Sequence, residues 1–203
     1  VRSRREAIRL RKLFEYVASK VGITIDVVLT DGSQPIGRGI GPVLEARDVM
    51  AVLRGDPDAP ADLRDRAVML AGRVLDFDPQ LSGGQGHARA AELLASGAAL
   101  AAMERIIAAQ GAQLVQAPVG QFTHEVSAPR DGKVAAIDCH LIARIARLAG
   151  APMEKGAGID LLRKIGDAVC QGEPLYRIHA TSQTGLGFAC ELASESSGYD
   201  VTA

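Results

Sequence analysis

The feature that most constrains this sequence is a run in which glycine takes every second position, residues 37–41 (GRGIG), followed at once by Pro42. Alternating glycines permit positive φ angles or close backbone approach at each of these positions. Pro42 suits the first turn of a helix, where its missing N–H would have no partner, and the apolar spacing of residues 43–53 continues that helix. The alternation of residues 23–29 predicts a strand before the run. Strand, glycine loop and helix in succession are typical of a ligand-binding arrangement.

The residue pattern divides the rest of the chain into helical and strand-forming segments. A basic, amphipathic helix is predicted at the start of the chain and should end at Gly22. Three further helices are predicted between residues 60 and 111, where the sequence is rich in alanine. Residues 121–137 resemble two strands joined by a turn at 129–132, followed by a short helix that begins after Asp138 and by short strands between 164 and 178. The predicted fold class is therefore α/β (α+β), with a helix-rich part at residues 1–116 and a β-rich part at residues 117–203.

Composition narrows the classes of partner. The net charge of -1 argues against nucleic acid, because binding phosphate backbones requires a basic surface. Three widely spaced cysteines predict neither a disulfide framework nor a zinc site and favour a reducing compartment. No apolar run has the roughly 18 residues that a membrane span needs. We therefore expect a cytoplasmic protein without nucleic acid or membrane as a partner. The serine, glycine and threonine content of residues 181–203 predicts a frayed end.

The passage DGSQPIGRGIGPVLEARDV, residues 31–49, resembles the pyrimidine nucleoside phosphorylase family, which contains thymidine phosphorylase and AMP phosphorylase. LRDRAVMLAGRVL, ASGAALAAMERIIAAQGA and SAPRDGKVAAID resemble later parts of that family in the same order. The residues after about 183 match nothing in it. The resemblance implies the C-terminal part of a large α/β domain together with a small β-rich domain. The turn at Asp131-Gly132-Lys133 and the spacing of residues 165–175 also resemble barrel-sandwich modules, although the Met-Lys-Met turn of carrier modules is absent.

The resemblance implies a pentosyltransferase of nucleoside salvage, in which phosphate is the co-substrate and a pyrimidine nucleoside is cleaved to base and (deoxy)ribose 1-phosphate. The family holds phosphate with a Lys-x-Ser stretch and a glycine-rich turn, and it grips the base with Arg, Ser and Lys side chains. All of these would precede Val1, so no catalytic residue is assigned and the substrate-binding residues stay unknown. The chain alone is expected to be inactive, and the full-length protein is expected to be a homodimer that requires no organic cofactor.

Some family members hold a potassium ion through two carbonyl groups of the glycine loop and a carboxylate one turn into the next helix. Transferred to this sequence, the ligands are the carbonyls of Ile36 and Gly39 and the carboxylate of Asp48, an oxygen-only set suited to a hard cation. The family carries glutamate at that last position. The alternative is that Asp48 is a solvated residue on the helix surface.

Some alternative interpretations of these residues are kept, and others are excluded. AMP phosphorylase is the alternative within the family, and a non-catalytic barrel-sandwich binding module is the alternative outside it. A dinucleotide fingerprint fails because Pro42 stands where its third glycine is needed. Glu45 is expected to form a structural ion pair with Arg38 or Arg47. The four histidines are scattered, without the spacing of a metal-binding helix, so solvated or core positions are expected for them.

Overall fold

The computed structural model of the 203-residue chain describes residues 3–81, 83–111 and 117–202. It divides into two compact units, residues 1–32 and 33–203. In the first unit, helix α1 (Arg4–Val21) begins after Ser3, whose hydroxyl accepts a hydrogen bond from the Glu6 amide. It ends at Gly22, which adopts the left-handed conformation with φ 72°. The predicted first helix and its glycine cap are confirmed.

The strand predicted for residues 23–29 is wrong. These residues follow α1 without forming a strand or a helix. A strand needs a neighbouring strand to pair its backbone groups, and an isolated extended segment does not supply one. The described part of the first unit contains no strand. Alternation of apolar residues therefore does not by itself supply the partner that a strand needs.

The helices of the second unit follow the predicted order. They are α2 (Pro42–Arg54), α3 (Ala61–Leu75), α4 (Gln85–Ala95) and α5 (Ala98–Ala109), with a short 3-10 helix at Pro79–Leu81. Helices α3 and α4 pack closely because both present glycine at their contact. A Cβ on Gly72 would lie 2.7 Å from the Cα of His87, and one on Gly86 would lie 2.2 Å from the carbonyl oxygen of Gly72. The predicted boundary at 116/117 involves residue 116, which lies outside the described residues, and the division there stays a prediction.

No helix within residues 3–81, 83–111 and 117–202 combines the length and apolar character needed to traverse a bilayer.

Two antiparallel sheets complete the described fold. The first has the order β1-β4-β6-β2, from β1 (Gly39–Ile40), β2 (Phe122–Ser127), β4 (Gly158–Leu161) and β6 (Pro174–Ala180). The second has the order β5-β3-β7, from β3 (Gly132–Ile137), β5 (Ala168–Val169) and β7 (Tyr199–Thr202). Strands β2 and β3 form as predicted, but they enter different sheets instead of pairing with each other. The described sheets do not close into a barrel, and the α/β (α+β) class is confirmed.

The main core lies where these sheets meet helices α6 (Cys139–Leu148) and α7 (Gln183–Glu195). Asp138 caps α6 as predicted, because its carboxylate accepts hydrogen bonds from the amides of His140 and Leu141. The predicted fraying of residues 181–203 is wrong for the described residues up to 202. Helix α7 buries Ala189, and β7 pairs with β3 and buries Val201. Composition did not reveal that apolar side chains at helical spacing hold this segment in the core.

We expect Ile145→Ala, in α6, to lower the free energy of unfolding by about 2–5 kcal/mol, because Ile145 is fully buried and its truncation leaves a cavity. The matched control is Leu148→Ala on the same helix, where the side chain is 41% exposed and a change within about 0.5–1 kcal/mol is expected. Urea unfolding followed by circular dichroism measures both. Equal losses in the two variants would show that α6 does not pack as described.

Candidate functional site

The glycine loop, residues 36–41, uses each of its glycines for a different physical reason. Gly37 has a left-handed backbone with φ 73°. Gly39 has no room for a side chain, since a Cβ there would lie 2.4 Å from the carbonyl carbon of Leu44. Gly41 has φ 130°, and a Cβ on it would lie 2.4 Å from the carbonyl oxygen of Ala157. The prediction of positive φ or close approach at every second residue is confirmed.

The carboxylate of Asp48 holds this loop from helix α2. Its Oδ2 accepts hydrogen bonds from the backbone amides of Arg38 at 2.6 Å and Gly39 at 2.7 Å. Asp48 is 5% exposed, so it is a buried charge and not a solvated residue of the helix surface. A buried carboxylate is stable only when its lone pairs are satisfied by donors. The two loop amides provide that satisfaction, and the loop conformation follows from it.

Arg47 supplies the balancing positive charge. Its guanidinium donates to Asp48 Oδ1 from Nε at 3.2 Å and from Nη2 at 3.0 Å. The same group forms a two-point contact with Asp160 of β4, with Nη1 to Oδ2 and Nη2 to Oδ1 both at 2.9 Å. The hydrogen bonds to Asp160 are the main cause that raises the pKa of Arg47, and burial opposes them. Arg47 therefore connects helix α2 to the first sheet next to the glycine loop.

A second set of contacts holds residues 34–37, at the start of the glycine loop. Asp62, at the start of α3, accepts from the amide of Gly37 at 3.3 Å and from Lys164 Nζ at 3.1 Å. Lys164 also donates to the carbonyl of Pro35 at 2.6 Å. The side-chain carbonyl of Gln34 accepts from the amide of Ile165 at 2.8 Å. Side chains and amides from α3 and from residues 164–165 thus clamp the loop from two sides.

The predicted ion pair of Glu45 is wrong. Its Oε1 accepts from the amide of Gly41 at 2.9 Å, so the carboxylate caps the first turn of α2. The Arg38 guanidinium donates to the carbonyl of Asp58 instead, and Arg47 pairs with Asp48 and Asp160. An acidic side chain in the first turn also interacts favourably with the positive end of the helix dipole.

Of the three predicted potassium ligands, Asp48 contacts the backbone of the glycine loop. Asp48 contacts the loop through the amides of Arg38 and Gly39, whereas a cation would need the carbonyl groups of Ile36 and Gly39. The described residues contain no group of three or more His, Cys, Asp or Glu side chains that could hold a metal ion. A cavity of about 490 Å³ beside Arg47 and Asp48 is lined by further charged residues. The potassium site stays a prediction.

The residues that complete the site were not predicted as such. Arg47 and Asp160 lie 113 positions apart, and no local pattern links them. Asp62 carried a weak signal, because it stands in the first turn of a predicted helix, where acidic residues are common. Its contacts with the loop depend on tertiary packing, which a single sequence does not reveal.

His179, on β6, is a core histidine as expected. It is 8% exposed, and its Nδ1 lies 3.3 Å from the carbonyl oxygen of Gly120. Burial is the main cause that lowers the pKa of this imidazole, because the charged form loses its hydration. Burial likewise raises the pKa of the Cys139 and Cys190 thiols. Neither thiol is activated as a nucleophile by its surroundings.

Comparison with known proteins shows which domain and which relatives the chain is similar to. The profile of the pyrimidine nucleoside phosphorylase C-terminal domain matches residues 133–200. Relatives named "putative thymidine phosphorylase" include one from Nitrobacter hamburgensis, 59% identical over 91% of this chain, and one from Methylococcus capsulatus, 54% identical over 99% of it. A third, from Rhodopseudomonas palustris, is 57% identical over 97% of it. Residues 133–200 therefore match the pyrimidine nucleoside phosphorylase C-terminal domain, and nearly the whole chain is similar to part of the proteins that carry the name putative thymidine phosphorylase.

The chain spans 36–39% of the length of these relatives. The matched domain runs from β3 through the whole of α7 to the first half of β7, so the family resemblance continues past residue 183, where none was expected. The glycine loop lies outside the matched domain, but it falls within the 99% of the chain that aligns with the Methylococcus capsulatus relative. The loop therefore lies in a part of the chain that aligns with this relative.

We expect Gly39→Ala to lower the free energy of unfolding by about 1–3 kcal/mol, because the new methyl group would overlap the backbone of Leu44. The matched control is Gly187→Ala in α7, where a Cβ would meet nothing within 4 Å. Alanine is the better helix former, so that change should stabilise the fold by about 0.5–1 kcal/mol. Thermal unfolding compares the two, and destabilisation by Gly187→Ala alone would contradict the packing described.

His179 should make stability depend on pH. Its pKa is lowered in the folded state, so below its ordinary value of 6.5 the unfolded chain binds a proton that the folded chain resists. The free energy of unfolding should therefore fall as the pH drops below about 6.5. In His179→Gln this fall should be smaller, whereas His124→Gln, at an exposed position of β2, should retain it. Urea unfolding at several pH values between 5 and 8 measures the slopes, and identical slopes in the two variants would refute the assignment.

Proposed function

We propose that this chain is part of a thymidine phosphorylase-like pentosyltransferase that cleaves pyrimidine nucleosides with phosphate. The observation that carries the proposal is the identity of 54–59% with relatives that bear the thymidine phosphorylase name, over nearly the whole chain. In this reaction a phosphate oxygen bonds to the anomeric carbon, and the bond from that carbon to the base nitrogen breaks. The products are the free base and the pentose 1-phosphate.

The described site supports a scaffolding role for this chain within such an enzyme. Catalysis requires groups that hold the phosphate and donors that stabilise the departing pyrimidine anion. Three charged side chains at the glycine loop are occupied with holding it: Asp48 and Asp62 accept from loop amides, and Lys164 donates to the carbonyl of Pro35 next to the loop. We therefore propose that the reacting groups lie in other parts of the longer protein and that the 203-residue chain alone does not turn over. The full-length protein is proposed to be a cytoplasmic homodimer.

A segment exchange tests the proposal. The Methylococcus capsulatus relative aligns with 99% of this chain, so this sequence can replace the corresponding segment of that protein. We expect the exchanged protein to release thymine from thymidine only when phosphate is present, at a rate within about tenfold of the parent relative. The isolated 203-residue chain, shown by circular dichroism to be folded, should release none. Base and pentose 1-phosphate are quantified by chromatography.

The substrates that are cleaved distinguish the alternative functions. Faster phosphorolysis of AMP than of thymidine or uridine, by both the parent and the exchanged protein, would make AMP phosphorylase the function. Cleavage by the parent but not by the exchanged protein would refute the phosphorylase role of this chain and favour a non-catalytic binding module. Turnover by the isolated chain would refute the scaffolding role, because its own residues would then suffice.

A further inference from the structure

The carboxylate predicted to bind potassium has no lone pair left for a cation. Each carboxylate oxygen offers two acceptor sites. Asp48 Oδ2 uses both for the amides of Arg38 and Gly39, and Oδ1 receives the Nε and Nη2 groups of Arg47. Ligation of a metal by Asp48 would require at least one of these four hydrogen bonds to break. The residues present therefore do not fit the potassium site that the family resemblance implies.

A positive charge already stands beside this carboxylate. The Arg47 guanidinium lies between Asp48 of helix α2 and Asp160 of strand β4 and makes hydrogen bonds to both oxygens of Asp160. A planar guanidinium in this position satisfies two carboxylates with fixed geometry, which a spherical ion does not. A second cation placed within a few ångströms would be repelled by it.

The contacts also give Arg47 the structural task that a loop-bound ion would have. Through Asp48 it stabilises the conformation of the glycine loop, and through Asp160 it holds the loop against the sheet. The pairing of β1 with β4 reinforces the same connection, because Gly39 is opposite Asp160. The carbonyl of Arg38, just before β1, accepts from the Leu161 amide of β4 at 2.9 Å.

We propose that the Arg47 guanidinium serves as the built-in cation of the glycine loop, so that the loop is ordered without potassium. The inference does not depend on which nucleoside the protein cleaves. A potassium ion bound in the neighbouring cavity of about 490 Å³ would contradict the proposal. Asp56 and Asp58 line it together with Arg38, Arg47, Asp48 and Asp160, so an ion attracted there would be seen as a potassium effect on stability.

The first test compares salts on the unmodified chain. Its thermal unfolding midpoint is measured in potassium chloride, sodium chloride and N-methylglucamine chloride, each at about 0.1 M so that screening is equal. We expect the three midpoints to agree within about 1 °C, because a cation that does not bind the folded state adds no stability. A potassium-specific rise of the midpoint that saturates with concentration would overturn the proposal.

The second test removes the guanidinium. Arg47→Met keeps an unbranched side chain as far as the Nε position and should lower the midpoint by roughly 3–10 °C, because Asp48 is then a buried charge without a counter-ion. The matched control is Arg177→Met. The side chain of Arg177 has nearly the same exposure as that of Arg47, 43% against 44%, but the side chain of its partner Glu125 is 44% exposed whereas that of Asp48 is 6% exposed. A change within about 2 °C is expected for an exposed pair of this kind.

Equal midpoints for Arg47→Met and Arg177→Met would refute the proposal, since the guanidinium would then be dispensable. Arg47→Lys is a second variant that keeps the test decisive if Arg47→Met does not fold. It retains the charge without the planar fork, so its midpoint should lie between those of the unmodified chain and Arg47→Met. A midpoint for Arg47→Lys as low as that of Arg47→Met would also count against the proposal, because a cation at this position would not suffice.

Discussion

The glycine loop depends on one buried carboxylate. Asp48 lies on the first turns of α2, and its Oδ2 binds two consecutive amides of the segment that precedes that helix. Burying a charge without donors is costly, so the backbone must present these amides to it. The absence of a side chain at Gly39 is what lets the chain pass close enough to Leu44 to do so. Loop, helix start and short strand β1 are therefore consequences of the same contact.

Two adjacent residues of α2 contact different parts of the structure, one the loop and the other the sheet. Asp48 directs its carboxylate to the loop amides, while Arg47 extends from the same helix to Asp160 on β4. The loop is thus held by side chains from α2, from α3 through Asp62 and from the segment after β4 through Lys164. Such convergence makes the loop a rigid connection between the helical part and the β-rich part of the described fold. It is consistent with a supporting role in a larger enzyme.

Local patterns predicted the helices, their caps and the purpose of the alternating glycines, because those features depend on residues a few positions apart. The strand at residues 23–29 was wrong because strand formation depends on a partner that local alternation does not provide. Fraying at the end was wrong because Val201 is buried by pairing with β3. The burial of Asp48 was not predicted for the same kind of reason. Its counter-ion is anchored by Asp160, more than a hundred positions away, and no alternation or spacing records that distance.

The wide separation of β1 and β4 along the chain has a consequence for the order of folding. Contacts distant in sequence form only after the entropy cost of closing the intervening loop has been met. Helices α3 to α5 and the β-rich segment can each form from nearer contacts. We therefore expect the glycine loop to acquire its native form late, and its amides to exchange hydrogen with solvent sooner than those of β6 at the centre of the first sheet.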